Sequence, residues 1–349
     1  MIKLGKVNVV IGGQWGSEGK GKLYGYLYEQ FPEIDIAVCD FTPNAGHTYV
    51  DRKGAKFISK VLPLGYLFDS VKVCLIGPHA VIDVNRLLEE METLRRRNIS
   101  PKVFIHPMAS IVTDESKRHE ALVLTHIAST MQGSASAQMS KIMRNNDPID
   151  GARLAGDEPA LRHLLGDTQD MMQHYLNCEK HTVLVETCQG FDLGLNHGTK
   201  WPYTTGRDCL IGRVLDNAGV SPKRLGSIIV ALRTYPIRVG SIEGGYSGPY
   251  YSDQREVTWE YISKIIGILT MEMTTVTKRV RRVFTWSNTQ VQRMCNFIEP
   301  DYAFINFLNY IPEGERDIWM ANVSSMLAGY GCDASLFGTG ALPDDMIVK

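Results

Sequence analysis

The segment Val7-Asn-Val-Val-Ile-Gly-Gly-Gln-Trp-Gly-Ser-Glu-Gly-Lys-Gly-Lys22 constrains the fold more than any other part of the chain. The apolar run Val7 to Ile11 reads as a buried strand. It passes directly into Gly12, Gly13, Gly16, Gly19 and Gly21, and a helix is expected from Leu23 to Glu29. Strand, glycine-rich turn and helix in that order bring backbone N–H groups together at a helix N-terminus, where phosphate is favoured. Gly16 to Lys22 satisfies the spacing G-x-x-x-x-G-K, yet Leu23 stands where a P-loop has the Ser or Thr that holds Mg²⁺. The loop is therefore a relative of the P-loop at most. A turn that merely lets a helix pack on a strand is the plainer alternative, and two lysines among the glycines argue against it.

Further short runs rich in Val and Ile follow: Ile34 to Cys39, Val71 to Ile76, Val103 to Ile105, Val183 to Val185, Ile228 to Leu232 and Tyr302 to Ile305. Helix-like segments lie between several of them, at Asn85 to Arg97, Glu115 to Ser129 and Val257 to Met273. Fully apolar strands alternating with helices predict an α/β fold, P-loop-NTPase-like, with a mostly parallel central sheet flanked by helices. No repeat, low-complexity linker or compositional break divides the chain, so residues 1–349 are read as a single elaborated domain. The turn-rich stretch Gly240 to Tyr251 is expected to be a surface excursion. A hydrophobic share of 44% in 349 residues is enough for a substantial core.

Charge narrows the partners. With 37 basic and 38 acidic side chains, the formal charge of -1 sets up no overall field toward nucleic acid or an anionic membrane, and any anion site must be local. The seven cysteines show no C-x-x-C spacing and are expected to be reduced core thiols. The opening Met-Ile-Lys-Leu-Gly-Lys lacks the apolar stretch of a signal peptide, and a cytoplasmic location is expected.

Two other clusters carry chemistry. Asn44-Ala-Gly-His-Thr48 follows the strand ending near Cys39 and should share the carboxyl edge of the sheet with the glycine loop, where open α/β folds place ligands. A lone histidine is otherwise more often structural than catalytic. Lys278, Arg279, Arg281 and Arg282 crowd four cations into five positions. A solvated basic face or a nucleic-acid contact are the alternatives there to a site for a small anion.

Together these residues resemble the adenylosuccinate synthetase family. Gly13 to Lys22 differs at one position from the signature G-Q-W-G-D-E-G-K-G-K, and Asn44 to Thr48 is identical to N-A-G-H-T. The likeness continues through Thr130, Lys141 and Arg144, Glu186-Thr-Cys-Gln-Gly190, His197-Gly-Thr199 and Pro202-Tyr-Thr-Thr205. It ends with Arg238-Val-Gly240, Thr277 to Arg282 and Gly338-Thr-Gly340, and is loose between about 80 and 125. The family phosphorylates O6 of a 6-oxopurine nucleotide and then displaces phosphate with the amine of L-aspartate. The resemblance implies Lys20, His47 and Gln189, with position 17, as catalytic residues. It implies Gly16, Ser17, Glu18, Gly19, Lys20, Gly21 and Lys22 for the triphosphate donor, with Asn306, Leu308, Asn309, Gly338, Thr339 and Gly340 around the donor's base. The acceptor nucleotide would meet Ser17, Asn44, Ser129, Thr130, Gln189, Thr204, Thr205, Val239 and Gly240. Arg144 would reach it from a second subunit, which implies a homodimer. Thr275, Thr277, Arg279 and Arg281 would bind L-aspartate, whose carboxylates suit guanidinium forks. Position 17 and the Gly46 carbonyl would ligate Mg²⁺.

Two departures from the family pattern are informative. Ser17 replaces the loop aspartate that serves the family as N1 base and Mg²⁺ ligand. A hydroxyl holds its proton too tightly to act as that base unaided, but it is smaller and can accept a hydrogen bond from an amine. The vacated space lies where a purine 2-amino group would be, which predicts a guanine nucleotide as acceptor. Asn306-Phe-Leu-Asn309 replaces T-K-L-D, whose aspartate accepts two N–H groups from guanine. Asn309 offers one acceptor and one donor, a pattern suited to adenine, which predicts ATP or dATP as donor. Both departures resemble the bacteriophage branch of the family, which makes 2-aminodeoxyadenylosuccinate; that resemblance implies the deoxyribose, hence dGMP as acceptor, and the host cytoplasm as location. An ordinary enzyme using IMP and GTP, and a nucleotide-binding protein without catalysis, remain the alternatives.

Overall fold

Val7, Val9 and Ile11 project to one side of a strand and Asn8 and Val10 to the other, and all are buried, as a strand covered on both faces requires. That strand, β1 (Val7–Gly12), is central in a nine-stranded sheet. The computed structural model describes residues 1–147, 151–177, 181–274 and 277–349. The remaining strands are β2 (Ile34–Cys39), β3 (Val73–Ile76), β4 (Val103–Ile105), β5 (Thr182–Glu186), β6 (Leu225–Arg233), β7 (Tyr302–Asn306), β8 (Asp333–Gly338) and β9 (Met346–Val348). Their order is β9-β8-β7-β6-β1-β5-β2-β3-β4. Every neighbouring pair is parallel except β8 with β9.

The expected sheet is thus observed. Its order sets the site. The chain runs outward on one side from β1 through β4, returns to insert β5 beside β1, and then builds the other side from β6. Such a reversal leaves a crevice at the carboxyl ends of the strands on either side of the switch.

Helix α1 (Lys20–Gln30) starts after Gly19, whose φ of 83° only glycine adopts without strain. It buries Leu23, Tyr24, Leu27 and Tyr28 in the core that contains Val10 and Cys39. Helix α2 (Val84–Arg96) is capped by the Asp83 side chain, within a residue of expectation. Two helices are shorter than the pattern suggests. Helix α3 (Asp114–Val123) stops six residues early, and the chain continues through a tight turn, Thr125–Ile127, to Ala128 at φ 53°. The segment expected from Val257 to Met273 is helical only over Trp259–Ile266. Thr258 caps its start, and Gly267 ends it at φ 71°, the left-handed position glycine favours. Helix α4 (Ser134–Ile142) packs against α3 and the short strands Val81–Ile82 and Ser110–Ile111.

The stretch Gly240 to Tyr251 is a surface excursion only in part: Ser241, Glu243, Gly244, Tyr246 and Tyr250 are exposed. Ser247 and Tyr251 are buried, and the Tyr251 hydroxyl donates to Asp192 at 2.9 Å, so the segment folds back over the crevice. Cys39, Cys74, Cys188, Cys209, Cys295 and Cys332 are buried free thiols, as expected; Cys178 lies outside the described residues. No helix among the described residues is long and apolar enough to cross a membrane.

Candidate active site

The crevice holds a cleft of about 350 Å³ whose walls come from the loop after β1, the Asn44–Thr48 loop, the start of α4 and the segments following β5 and β6. That volume suits a small-molecule site. The glycine loop is folded around the Glu18 carboxylate, which is fully buried. It accepts from the Gln14 and Gly16 amides, at 3.2 and 2.8 Å, and from Lys20 Nζ at 2.9 Å. Lys20 Nζ also donates to the Gln189 carbonyl at 2.6 Å, which pins the loop after β5 against the loop after β1. Gln189 itself sits at φ 66° and lines the cleft.

Of the two lysines, only Lys20 lines the cleft. Lys22, two residues on, projects about 200° around α1. Its Nζ donates to the carbonyls of Gly340 and Asp345 at 2.9 and 2.5 Å, fastening the loop between β8 and β9. Burial lowers its pKa to about 8.

His47 begins the hairpin formed by His47–Val50 and Lys56–Ser59. Its ring stacks on Phe41 at 4.2 Å and is 6% exposed. Burial first, and then the Lys20 charge, hold its pKa down to about 3, so the imidazole is neutral. Its Nε2 is buried without a hydrogen-bond partner. A neutral imidazole with an orphaned ring nitrogen at the cleft wall is equipped to serve one oxygen of a bound group.

Ser17 stands at the mouth of the loop with φ 59° and lines the cleft. Its carbonyl accepts from Arg233 Nη1 at 3.0 Å. Arg233 is the last residue of β6 and fully buried. Its guanidinium lies 4.0 Å from the Phe307 ring centroid and pairs with Glu272 at 2.5 Å. Burial pushes the Glu272 carboxyl up, but the Arg233 charge and hydrogen bonds outweigh it and hold the group below its ordinary value. Arg238, also buried, packs over Trp15 at 4.4 Å; burial lowers its pKa to about 10, and Nε and Nη2 have no partner.

The cleft brings together Gly16, Ser17, Glu18, Gly19, Lys20 and Gly21 with Asn44, Gly46 and His47. Ser129, Thr130, Gln189, Thr204, Thr205, Val239 and Arg281 join them. The Asn44 side chain accepts from Ser134 Oγ at 2.7 Å, which ties its loop to α4. Other expected residues lie elsewhere. Arg279 turns its guanidinium to the carbonyls of Ala128 and Ser129, at 3.0 and 3.2 Å. Thr277 shares a hydroxyl contact of 2.7 Å with Thr274. Thr275 lies outside the described residues. Gly240 closely approaches the Val280 backbone. Leu308 is buried in apolar core, Asn309 is half-buried in the turn after β7, and Asn306 wedges between Gly19 and Gly338. Thr339 donates its amide to the Asp345 carbonyl at 2.8 Å, beside Gly340. Arg144 is exposed beyond the end of α4 and does not line the cleft of its own chain.

Arg233 and Glu272 were not among the expected site residues. A polar residue closing the apolar run Ile228 to Leu232 was the available signal for Arg233. Glu272 was hidden by the overlong helix.

A family model described as adenylosuccinate synthetase matches residues 9–155 and 151–305. The N6-succino-2-amino-2'-deoxyadenylate synthase of Vibrio phage phiVC8 is 38% identical over 318 residues, 89% of each chain. A solved structure of the cyanophage S-2L succinoaminodeoxyadenylate synthetase, bound to dGMP and to dATP as an energy donor, superposes with a TM-score of 0.85 at 30% identity. It covers 99% of this chain and 96% of that one. Fully ligated adenylosuccinate synthetase from Plasmodium falciparum shares the fold, with a TM-score of 0.81 at 20% identity, covering 99% of this chain and 100% of that one.

Proposed function

The chain belongs to the adenylosuccinate synthetase family, and on that premise we propose that it is a C–N ligase joining L-aspartate to C6 of dGMP at the expense of ATP or dATP. The product is 2-amino-2'-deoxy-N6-succinyladenylate, with phosphate and the nucleoside diphosphate. The observation that carries the reading is Ser17. A small hydroxyl occupies the mouth of the loop where the family pattern has a carboxylate, which leaves room beside N1 for a 2-amino group and an acceptor for it. The phage relatives and the structure holding dGMP and dATP support the same acceptor.

The lactam oxygen O6 is a poor leaving group, so it must first be phosphorylated. N1 gives its proton to a substrate phosphate oxygen, O6 attacks the donor γ-phosphorus, the O6–P bond forms, and the bond to the β-phosphate oxygen breaks. Lys20 Nζ and the loop amides hold the transferring group, while neutral His47 presents Nε2–H to its oxygens as charge shifts toward the leaving phosphate. The amine of L-aspartate then attacks C6, the C6–O6 bond breaks, phosphate departs with both bonding electrons, and the surplus proton on the new C6–N bond passes to that phosphate. Gln189 orients the purine. Glu18, already occupied by three donors, shapes the loop. Thr130 and Thr205 line the end of the cleft assigned to the acceptor monophosphate. Arg144, exposed beside Ile142 and Met143, suits a role in the site of a second copy, so a homodimer is part of the proposal.

No cluster of three acidic, His or Cys side chains among the described residues forms a ready metal cage. The Ser17 hydroxyl and Gly46 carbonyl fit Mg²⁺ as hard oxygen donors, with substrate phosphate and water as its other ligands. When bound, the ion supplies charge neutralisation on the triphosphate.

The test mixes purified protein, Mg²⁺ and L-aspartate with each pairing of dGMP, GMP or IMP with ATP, dATP or GTP, and follows phosphate and the succinylated nucleotide. Turnover is expected with dGMP and an adenine donor. Product from IMP and GTP alone would identify an ordinary synthetase, and binding without phosphate release under every pairing would identify a protein without catalysis.

A further inference from the structure

L-Aspartate brings two carboxylates and an ammonium, and a cleft that reads it must match both signs of charge. Arg281 and Thr274 line the end of the cleft next to Ser17 and suit the carboxylates. Among the described residues three carboxylates line the cleft: Glu18, Glu120 and Glu272. Glu18 is fully buried and its oxygens are taken by two amides and Lys20. Glu120 is 3% exposed and accepts from the amides of Gly133, Ala135 and Ser136. Each of these, like Glu272, has an Oε2 with a single donor, but both carboxylates are buried and expose no oxygen to a ligand.

Glu272 differs. Its Oε1 accepts from Arg233 Nη2 at 2.5 Å and from the Tyr310 hydroxyl at 2.9 Å, whereas Oε2 accepts only from Arg233 Nη1, at 3.2 Å. An ionised carboxylate has about four acceptor sites, so Oε2 retains capacity. The Glu272 side chain is 19% exposed and that of Arg233 is 0% exposed, so the pair presents its acidic member to the cleft.

The same Arg233 Nη1 donates to the Ser17 carbonyl at 3.0 Å and to Glu272 Oε2 at 3.2 Å. The two oxygens are therefore at most about 6 Å apart. The backbone carbonyl of Glu272 accepts from the Arg281 amide at 2.9 Å, which puts this carboxylate in the segment that also carries a cation for the substrate's acid groups.

From these contacts we infer that Glu272 Oε2 accepts a hydrogen bond from the amine of L-aspartate, holds that nitrogen on the C6 side of the purine, and discriminates against dicarboxylates that lack it. Arg233 is the positioning residue that keeps the carboxylate in place relative to Ser17. Without Glu272 the ammonium would face Arg281 and the Arg233 guanidinium with no acceptor among the cleft carboxylates. The inference rests on the ligase reading above.

The experiment first establishes wild-type turnover with dGMP, ATP and L-aspartate, then measures the KM for L-aspartate and the inhibition constant of succinate, which keeps both carboxylates and lacks the amine. The wild-type enzyme is expected to bind succinate at least tenfold more weakly than L-aspartate. In Glu272→Gln the KM for L-aspartate should rise at least tenfold while the inhibition constant of succinate moves less than about twofold. Parity between the two ligands in the wild-type enzyme overturns the proposal, and this arm needs no variant to fold. An unchanged KM in Glu272→Gln also overturns it, as does an equal rise for both ligands, which would mean that Glu272 only props the Arg281 segment. Absence of any wild-type turnover with dGMP would defeat the ligase reading and the inference together, whereas turnover without amine selectivity defeats the role of Glu272 alone.

Discussion

Replacing Gly21 with Ala tests the claim that catalysis depends on how closely α1 approaches the hairpin carrying His47. Gly21 lies in the first turn of α1, between the two lysines, and a Cβ there would stand 2.7 Å from the Thr48 carbonyl carbon and 2.9 Å from its amide nitrogen. Comfortable carbon contacts are about 3.5–4.0 Å, so α1 and the hairpin must separate by about 1 Å. Both neighbours in this contact are backbone, and no flexible side chain can absorb the shift. Lys20 and His47 adjoin the contact in sequence, so the move separates the two groups meant to act on one phosphoryl group. A 1 Å misplacement costs on the order of 100-fold in rate. For stability, overpacking costs about 1–3 kcal/mol, and the better helix propensity of Ala returns at most about 1 kcal/mol. Gly212 is the control. It too lies second in its helix, Ile211–Ala218, but a Cβ there meets nothing within 4 Å, so Gly212→Ala should keep kcat and gain slightly in melting temperature. Initial rates with saturating dGMP, ATP and L-aspartate, together with thermal melts, decide the matter. A folded Gly21→Ala protein with kcat within twofold of wild type would refute the reasoning.

Ser17→Asp should lower kcat/KM for dGMP at least tenfold and raise it for IMP; undiminished use of dGMP would remove Ser17 from the base site. Asn309→Asp should move donor preference toward GTP by roughly tenfold, about 1.4 kcal/mol, and an unchanged ATP:GTP ratio would show that the turn after β7 does not read the base. His47 has a folded pKa of about 3, below its ordinary 6.5. Its contribution to stability is therefore present above pH 6.5 and lost as pH falls toward 3. The acid limb of the unfolding curve should be shallower in His47→Gln, and an unaltered slope would refute a buried neutral imidazole. Glu90 and Glu186 act in the opposite sense, because burial pushes both up to about 7 from an ordinary 4.5. Their contribution is present below pH 4.5 and declines as pH rises through 7. Melting temperature should fall between pH 6 and 8.5, and a level profile would contradict the shift.

The amino-acid sequence by itself determined the elements whose signals are local. The buried parallel strands were legible as runs of Val and Ile, because burial on both faces removes any polar alternation. The loop from Gly12 to Lys22 was legible because left-handed turns and close backbone approach demand glycine. Ser17 was legible as a departure from a family pattern. Helix ends were less so, since Gly267 stops its helix in the left-handed region and α3 ends before the turn Thr125–Ile127, neither of which apolar periodicity registers. Only the tertiary structure decided which polar groups meet. Lys22 is the lysine that completes the G-x-x-x-x-G-K spacing, but helical geometry points Lys20 and Lys22 to opposite sides of α1, and it is Lys20 that lines the cleft. The contact of Arg233 with the Ser17 carbonyl spans 216 positions, and its pairing with Glu272 spans 39. Nothing in either residue's neighbourhood along the chain encodes the other, because the partner is chosen by the parallel pairing of β1 with β6, and that arrangement exists only once the sheet has formed.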